Sequence, residues 1–213
     1  NTAGTGGAIY SNNKVIENIS NFINNTVTTS GGAIYSNTTV VTIGGTFINN
    51  TANTTSGGAI FAIKDVTVNG TDFINNTAKL TGGAICSDTG IISTTNGKFI
   101  NNTAGVQGGA IISKNNYVTT NGTEFIGNKV NSTTENTSGG AIFARGIVNT
   151  TNSKFVNNSA SATDDNTAFG GAIYSGSDIT SNASEFENNT AKTGGALYSY
   201  ITITTIGGKF NGN

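Results

Sequence analysis

The sequence contains no histidine, proline, tryptophan or methionine, and its single cysteine is Cys86. Without histidine, the chain cannot build a Ser-His-Asp triad or a zinc cluster of the usual Cys and His ligands. One cysteine also excludes a disulfide framework within the chain. These absences remove most enzyme classes, and we expect neither a cofactor nor a metal ion.

Charges and long hydrophobic runs are scarce as well. Charged residues make up 10% of the 213 residues, and the formal net charge is −1. Such a balance provides no electrostatic footprint for nucleic acid. No apolar run approaches the roughly 20 residues that a membrane helix needs. We therefore expect no nucleic-acid partner and no membrane-spanning segment in this chain.

The abundant residues favour strands over helices. The chain has 33 Asn, 36 Thr, 18 Ser and 30 Gly, which together make up more than half of it. Segments rich in Leu, Ala and Glu, typical of helical bundles, are missing, whereas Thr, Val, Ile and Phe favour strands. The composition predicts an all-β protein.

Two short boxes, Gly-Gly-Ala-Ile (Leu in the last copy) and Phe-x-x-Asn, each occur eight times. The second Gly precedes its Phe by 15 or 16 residues, whereas 4 to 11 residues separate the box Asn from the next Gly pair. One part of fixed length and one that tolerates insertion are typical of a solenoid turn with a variable corner. The first box starts at Gly6, Gly31, Gly57, Gly82, Gly108, Gly139, Gly170 and Gly194, and the second at Phe22, Phe47, Phe73, Phe99, Phe125, Phe155, Phe186 and Phe210.

The period of about 25 residues predicts a single-stranded parallel β-helix (β-solenoid) of about eight turns, with two or three short strands per turn. Seven residues before every Phe stands a β-branched residue, and we expect these residues and the Phe rings to stack inside as two ladders. The absence of proline fits, because interior turns need every backbone N–H for the ladder. The β-branched residues are Val15, Val40, Val66, Ile92, Val118, Val148, Ile179 and Ile203.

The turn residues of the two boxes have predictable roles. Asparagine tolerates a left-handed backbone, and stacked Asn side chains can hydrogen-bond from one turn to the next, so the box Asn is expected to do both. The Gly pair predicts a corner that needs a positive φ or a close approach between backbones.

The residue before each Phe alternates in charge from the third turn onward. Stacked at a strand spacing of roughly 4.8 Å, each charge would lie between two of opposite sign. We interpret this column as a solvated ladder that sets the register, because exposed ion pairs are ordinary surface features. Its members are Asn21, Thr46, Asp72, Lys98, Glu124, Lys154, Glu185 and Lys209.

Gly-Gly-Ala-Ile paired with Phe-x-x-Asn resembles the repeats of polymorphic outer-membrane adhesins, and the Asn/Thr-rich style is similar to adhesin-like surface proteins of methanogenic archaea. The resemblance covers residues 1–213. It implies a right-handed parallel β-helix, extracellular or at the cell surface, in a stalk, passenger or fibre. It supplies no catalytic residues.

We therefore interpret residues 1–213 as one β-solenoid segment of a longer repeat array, with Asn1 and Asn213 in the same phase of the repeat. The predicted function is a non-catalytic adhesin stalk or fibre shaft that associates with other copies or further repeats, axially or laterally. A partner could also be a glycan of a host or neighbouring cell. Two alternatives stay open: a carbohydrate- or ice-binding module, and more remotely a polysaccharide-degrading β-helix enzyme.

The ice-binding alternative depends on outward Thr-rich triplets in five turns, which would form a flat, hydroxyl-rich face. Thr is also an ordinary residue of exposed strands. The triplets are Thr67-Val68-Asn69, Ser93-Thr94-Thr95, Thr119-Thr120-Asn121, Asn149-Thr150-Thr151 and Thr180-Ser181-Asn182.

Fifteen Asn-x-Ser/Thr sequons occur, and four of them lie four residues before the Phe of alternate turns: Asn18, Asn69, Asn121 and Asn182. Alternate turns would leave near 10 Å for each sugar, so these four are the candidate glycosylation sites.

Strand parity predicts a second surface feature. If each Phe points inward, the next residue points outward, which gives an aliphatic stripe about 24 Å long over six turns. A soluble monomer rarely exposes so ordered an apolar row, so this stripe is the candidate lateral interface. It consists of Ile23, Ile48, Ile74, Ile100, Ile126 and Val156, and Glu187 and Asn211 follow it.

By the same parity, the column after the Ile of the first box should point outward: Tyr10, Tyr35, Phe61, Cys86, Ile112, Phe143, Tyr174 and Tyr198. Cys86 replaces an aromatic ring there and is interpreted as an apolar filler.

The two long corners, Lys129–Ser138 and Ser159–Phe169, should lie side by side. Their carboxylates Glu135, Asp164 and Asp165 are enough for a loose calcium site, but their spacing matches no known calcium loop, and we interpret the corners as tolerated insertions.

Overall fold

The computed structural model describes residues 1–163 and 166–213. Within these residues the chain forms strands and turns without any helix, so no helix long and apolar enough to cross a membrane is found among them. Every strand pairs in parallel with the equivalent strand of the neighbouring turn. The result is a β-solenoid of about eight turns, which confirms the predicted fold. Turns are numbered below by their Phe, from Phe22 to Phe210.

Each turn contributes up to four strands, which stack into four parallel sheets. The Thr-Ala sheet contains Thr2–Ala3, Thr26–Val27, Thr51–Ala52, Thr77–Ala78, Thr103–Ala104, Lys129–Ser132 and Ser159–Ala162. The Ile sheet contains Ile9–Ser11, Ile34–Ser36, Ile60–Ala62, Ile85–Ser87, Ile111–Ser113, Ile142–Ala144, Ile173–Ser175 and Leu197–Ser199. The Val sheet contains Val15–Asn18, Val40–Ile43, Val66–Asn69, Ile92–Thr95, Val118–Asn121, Val148–Thr151, Ile179–Asn182 and Ile203–Ile206. The Phe sheet contains Asn21–Ile23, Thr46–Ile48, Asp72–Ile74, Lys98–Ile100, Glu124–Ile126, Lys154–Val156, Glu185–Glu187 and Lys209–Asn211.

The expectation of two or three strands per turn was therefore wrong. The additional strand is the Thr-Ala segment directly after the box Asn, which is two residues long in most turns. A two-residue strand has too few positions to show an alternating pattern, so only its pairing with neighbouring turns reveals it.

The Phe and Val/Ile columns form the core, as predicted. Neighbouring Phe rings stack with centroids 4.6 to 4.9 Å apart along the whole column. Val40, Val66, Ile92 and their equivalents pair in register, and from the second to the seventh turn both columns are fully buried. The Ile and Ala of the first box complete the same cluster.

The box Asn residues form an uninterrupted buried ladder. The Asn50 side-chain amide donates one hydrogen bond to Oδ1 of Asn76, at 3.0 Å, and another to the carbonyl of Phe22, at 2.9 Å. Its own Oδ1 accepts from the backbone N–H and the Nδ2 of Asn25. Each interior amide thus satisfies all of its hydrogen-bonding groups, which removes the cost of burying it.

The left-handed backbone belongs to a different residue from the one predicted. Positive φ occurs one position before the box Asn, at Asn24, Asn49, Asn75, Asn101, Gly127, Asn157, Asn188 and Gly212. The box Asn itself points its amide inward. Asn and Gly share the preceding position because both accept this conformation with little strain.

Both predicted roles of the Gly pair are found, one for each glycine. The first Gly has a positive φ in every turn, for example 68° at Gly57. A side chain on the second Gly would overlap backbone: a Cβ on Gly58 would collide with the Gly83 carbonyl oxygen. The first position therefore needs glycine for its left-handed backbone, and the second needs it for the close approach of the next turn.

Candidate functional site

The outer face of the Phe sheet carries the alternating charges in the predicted register. Asp72 pairs with Lys98, Lys98 with Glu124, and so on along the column. The Lys98 Nζ lies 4.0 Å from Glu124 Oε2, and Lys209 Nζ lies 3.2 Å from Glu185 Oε1. Burial raises the pKa of Asp72, although the positive charge of Lys98 opposes that shift. These are half-exposed pairs, which contribute little stability but oppose a change of register.

The aliphatic stripe lies on the same outer face, two residues along each strand from the charges. Ile23, Ile48, Ile74, Ile100, Ile126 and Val156 pair with one another in that order. Ile23 is 50% exposed, and the other five are partly exposed. The stripe is therefore accessible to a partner, and its role as a lateral interface stays a prediction.

The four candidate glycosylation sites share one column on the outer face of the Val sheet. Asn18, Asn69, Asn121 and Asn182 are all exposed. Ile43, Thr95 and Thr151 occupy the intervening turns of that column. The geometry leaves two strand spacings between neighbouring sites, and their modification stays a prediction.

The outward triplets proposed for ice binding are wrong, because the middle residue of each triplet points inward. Val68, Thr94, Thr120, Thr150 and Ser181 are each at most 3% exposed. Three of the buried hydroxyls pair with hydroxyls of the following turn, as Thr94 does with Thr123 at 2.9 Å. Strand alternation therefore leaves two outward residues per turn on this face.

The column after the box Ile lies outside the main core, as parity predicted, yet its middle is covered. Phe61, Cys86, Ile112 and Phe143 form a second buried cluster, separate from the first. Burial raises the pKa of the Cys86 thiol to about 12. Because such a thiol stays protonated at neutral pH, Cys86 has the properties of a packing residue.

The two long corners lie side by side, as expected. Lys129–Ser132 pairs with Ser159–Ala162, and Thr137–Ser138 pairs with Ala168–Phe169 in a separate small sheet. Asp164 and Asp165, two of the three carboxylates considered for calcium, lie outside the described residues. Across residues 1–163 and 166–213, no group of three or more Asp, Glu, His or Cys side chains is placed to hold a metal.

Sequence reasoning missed a cleft of about 200 Å³ on the outer face of the Ile sheet. It is lined by Gln107, Ile112, Lys114, Asn115, Phe143 and Arg145. A signal for it exists in the sequence. The column directly after the Ile strands reads Asn12, Asn37, Ile63, Asp88, Lys114, Arg145, Gly176 and Tyr200, and only two adjacent turns place cations there.

Six segments match the sequence model of the Chlamydia polymorphic membrane protein repeat, and together they cover more than half of the chain. They are residues 19–37, 44–63, 70–88, 96–114, 152–176 and 183–200. Each segment contains one Phe-x-x-Asn box and the Gly-Gly-Ala box that follows it. The search of curated proteins and the search of solved structures each found no match.

Proposed function

The chain belongs to the Chlamydia polymorphic membrane protein repeat family, and from this we propose that it is a non-catalytic structural repeat of an outer-membrane or cell-surface protein. Its specific role is the shaft of an adhesin stalk or surface fibre. The single observation that supports a shaft is the unbroken stacking of the Phe and Asn columns through all eight turns. Turns that contact only their neighbours build a rod whose length grows with the number of turns.

Axial contact with another turn is the first form of association that we propose. In the eighth turn, Ile203 and Phe210 are 44% and 48% exposed, although their equivalents in the preceding turn are buried. They line an open cavity together with Ala196 and Leu197. A further turn, from a longer chain or a second copy, would cover these side chains and continue the strand ladders.

Lateral contact through the aliphatic stripe is the second form. A two-fold axis along the strand direction, between the third and fourth turns, would lay the stripe antiparallel on that of a second copy. Ile74 of one copy would then meet Ile100 of the other, and Asp72 would face Lys98. A parallel pair about an axis along the stripe would also place stripe on stripe, but it would move the two charge columns to opposite sides, so that Asp72 would not face Lys98. The apolar stripe provides the affinity, and the charges favour the antiparallel orientation.

The test is the double variant Ile74→Lys, Ile100→Lys, examined by sedimentation and by imaging of the native assembly. We expect lateral association to be lost with the fold intact, because four buried cations would meet at the centre of the interface. The matched control is Thr67→Lys, Ser93→Lys, which adds the same charges on the outer face of the Val sheet in the same two turns. Unchanged lateral association of the stripe variant would refute the proposed interface.

A further inference from the structure

We propose that the cleft on the outer face of the Ile sheet binds an acidic sugar, a pyranose ring that carries a carboxylate. This site goes beyond the shaft role and does not depend on it. It lies on a different sheet from the aliphatic stripe. The fifth turn contributes Gln107, Ile112, Lys114 and Asn115, and the sixth turn contributes Phe143 and Arg145.

The cleft exists because the outer aromatic column is broken. Elsewhere in this column, rings stack on one another, with centroids 5.2 Å apart for Tyr10 and Tyr35 and 4.8 Å apart for Phe143 and Tyr174. Between Phe61 and Phe143 the column holds Cys86 and Ile112 instead. The volume of about 200 Å³ suits one sugar ring better than a drug-sized ligand, which needs a larger pocket.

The floor of the cleft is apolar and fixed. Ile112 is 1% exposed and Phe143 is 7% exposed, and both belong to the second buried cluster. Phe143 is held from its other side by the stacked ring of Tyr174. The floor is therefore pre-formed but presents little free surface, so the contacts with a pyranose come chiefly from the charged and polar side chains at the rim.

Two cations, Lys114 and Arg145, line the cleft and explain the preference for a carboxylate. Arg145 is the single arginine of the chain, and its guanidinium makes no hydrogen bond or ion pair with any residue that the structure describes. Lys114 is already engaged: its Nζ lies 3.4 Å from Asp88 Oδ1 and 5.5 Å from the centroid of Phe61. The free planar guanidinium is therefore the group that would bind a carboxylate, through two parallel hydrogen bonds.

Two amides at the rim provide groups for sugar hydroxyls. The Gln107 carboxamide has no hydrogen-bond partner within residues 1–163 and 166–213. The Asn115 Nδ2 donates to the Asp88 carbonyl at 2.8 Å, which leaves its Oδ1 as an acceptor. In six of the other seven turns the position of Gln107 holds Ser or Thr, and in the seventh turn it holds Phe169. The hydroxyls of the first four turns pair with a neighbouring hydroxyl, as Ser56 does with Thr81 at 2.8 Å. Gln107 is thus the single amide of its column, and it lies in the same turn as Lys114.

The probe is glucuronic acid, titrated calorimetrically into the intact chain, with glucose and acetate as comparison ligands. We expect binding of glucuronic acid and at least tenfold weaker binding of both comparison ligands. Equal binding of acetate would mean that the cleft binds any small anion rather than a sugar. Equal binding of glucose would mean that Arg145 contributes nothing to recognition. Either result, or no binding of glucuronic acid, would overturn the proposal.

Variants separate the site from the fold. Arg145→Gln should weaken glucuronic acid binding at least tenfold, and Arg145→Lys should weaken it less. Ile112→Tyr should fill the cleft and abolish binding with both cations present, provided that thermal unfolding shows an intact fold. Lys14→Gln, which removes an exposed cation far along the chain, is the control and should bind normally. The double stripe variant Ile74→Lys, Ile100→Lys should also bind normally, so that failure of this site and failure of the lateral interface give different results.

Discussion

Two aromatic columns run along this solenoid, and they differ in how strictly each turn repeats them. The inner column has Phe at all eight positions, from Phe22 to Phe210. The outer column on the Ile sheet mixes Tyr, Phe, Cys and Ile, and it loses its stacking at Cys86 and Ile112. The inner rings are buried in one cluster with side chains of the Ile and Val sheets, so a smaller side chain there leaves a cavity. The outer side chains face the variable corner, where gaps are tolerated and can become binding sites.

The largest expected effect would come from breaking the inner column. Phe99→Ala should lower the free energy of unfolding by about 3–5 kcal/mol, because it removes a fully buried ring stacked between Phe73 and Phe125. Tyr35→Ala, in the outer column, should cost about 1–2 kcal/mol because that ring is half-buried. Urea unfolding of both variants measures the difference. Equal costs would show that the two columns contribute alike.

A medium effect of opposite sign is expected at the corner between the Val sheet and the Phe sheet, where backbone conformation decides. Ile19 has a φ of 57°, at a position that holds Gly in four other turns. Ile19→Gly should raise stability by about 1 kcal/mol, because it relieves left-handed strain and Ile19 is 74% exposed. Ile16→Gly, at a 64% exposed strand position in the same turn, is the matched control and should lower stability by about 0.5–1 kcal/mol. A loss at Ile19 would mean that its side chain matters more than its backbone.

The smallest effect is expected at the break in the outer column. Cys86→Ser should cost less than about 1 kcal/mol at neutral pH, because the hydroxyls of Ser56 and Thr81 are within hydrogen-bonding reach. The folded-state pKa of the thiol, about 12, lies above its ordinary 9.0. The stability contributed by the neutral thiol is therefore complete below pH 9 and is lost as the pH rises toward 12. The free-energy difference between the native chain and Cys86→Ser, measured from pH 7 to pH 11, should shift in favour of the variant. A difference that does not change with pH would argue against burial of the thiol.

Much of the fold could be predicted because each turn must place the same side-chain types at the same angular positions. The eight-fold Phe and Val/Ile columns predicted the inner ladders, and parity placed the Ile stripe outside. The prediction failed for the Thr-rich triplets, because it placed three consecutive strand residues outside although alternate residues face opposite sides. Their middle members Thr94, Thr120 and Thr150 are buried. Their hydroxyls pair inside the solenoid, so a polar residue type was a poor guide to exposure.

The sequence by itself determined the period, the core columns, the Asn ladder and the positions that need glycine, because stacked identical turns repeat every requirement of one turn eight times. Only the tertiary structure showed the fourth strand, which seven of the eight turns contain, the residue with the left-handed backbone, and the cleft around Arg145. These features depend on distances between turns and corners: the Thr-Ala strand exists through pairing alone, and Gln107, Lys114 and Arg145 lie in three different stretches of chain. A repeat therefore predicts what every turn shares, whereas the site lies where neighbouring turns differ and meet.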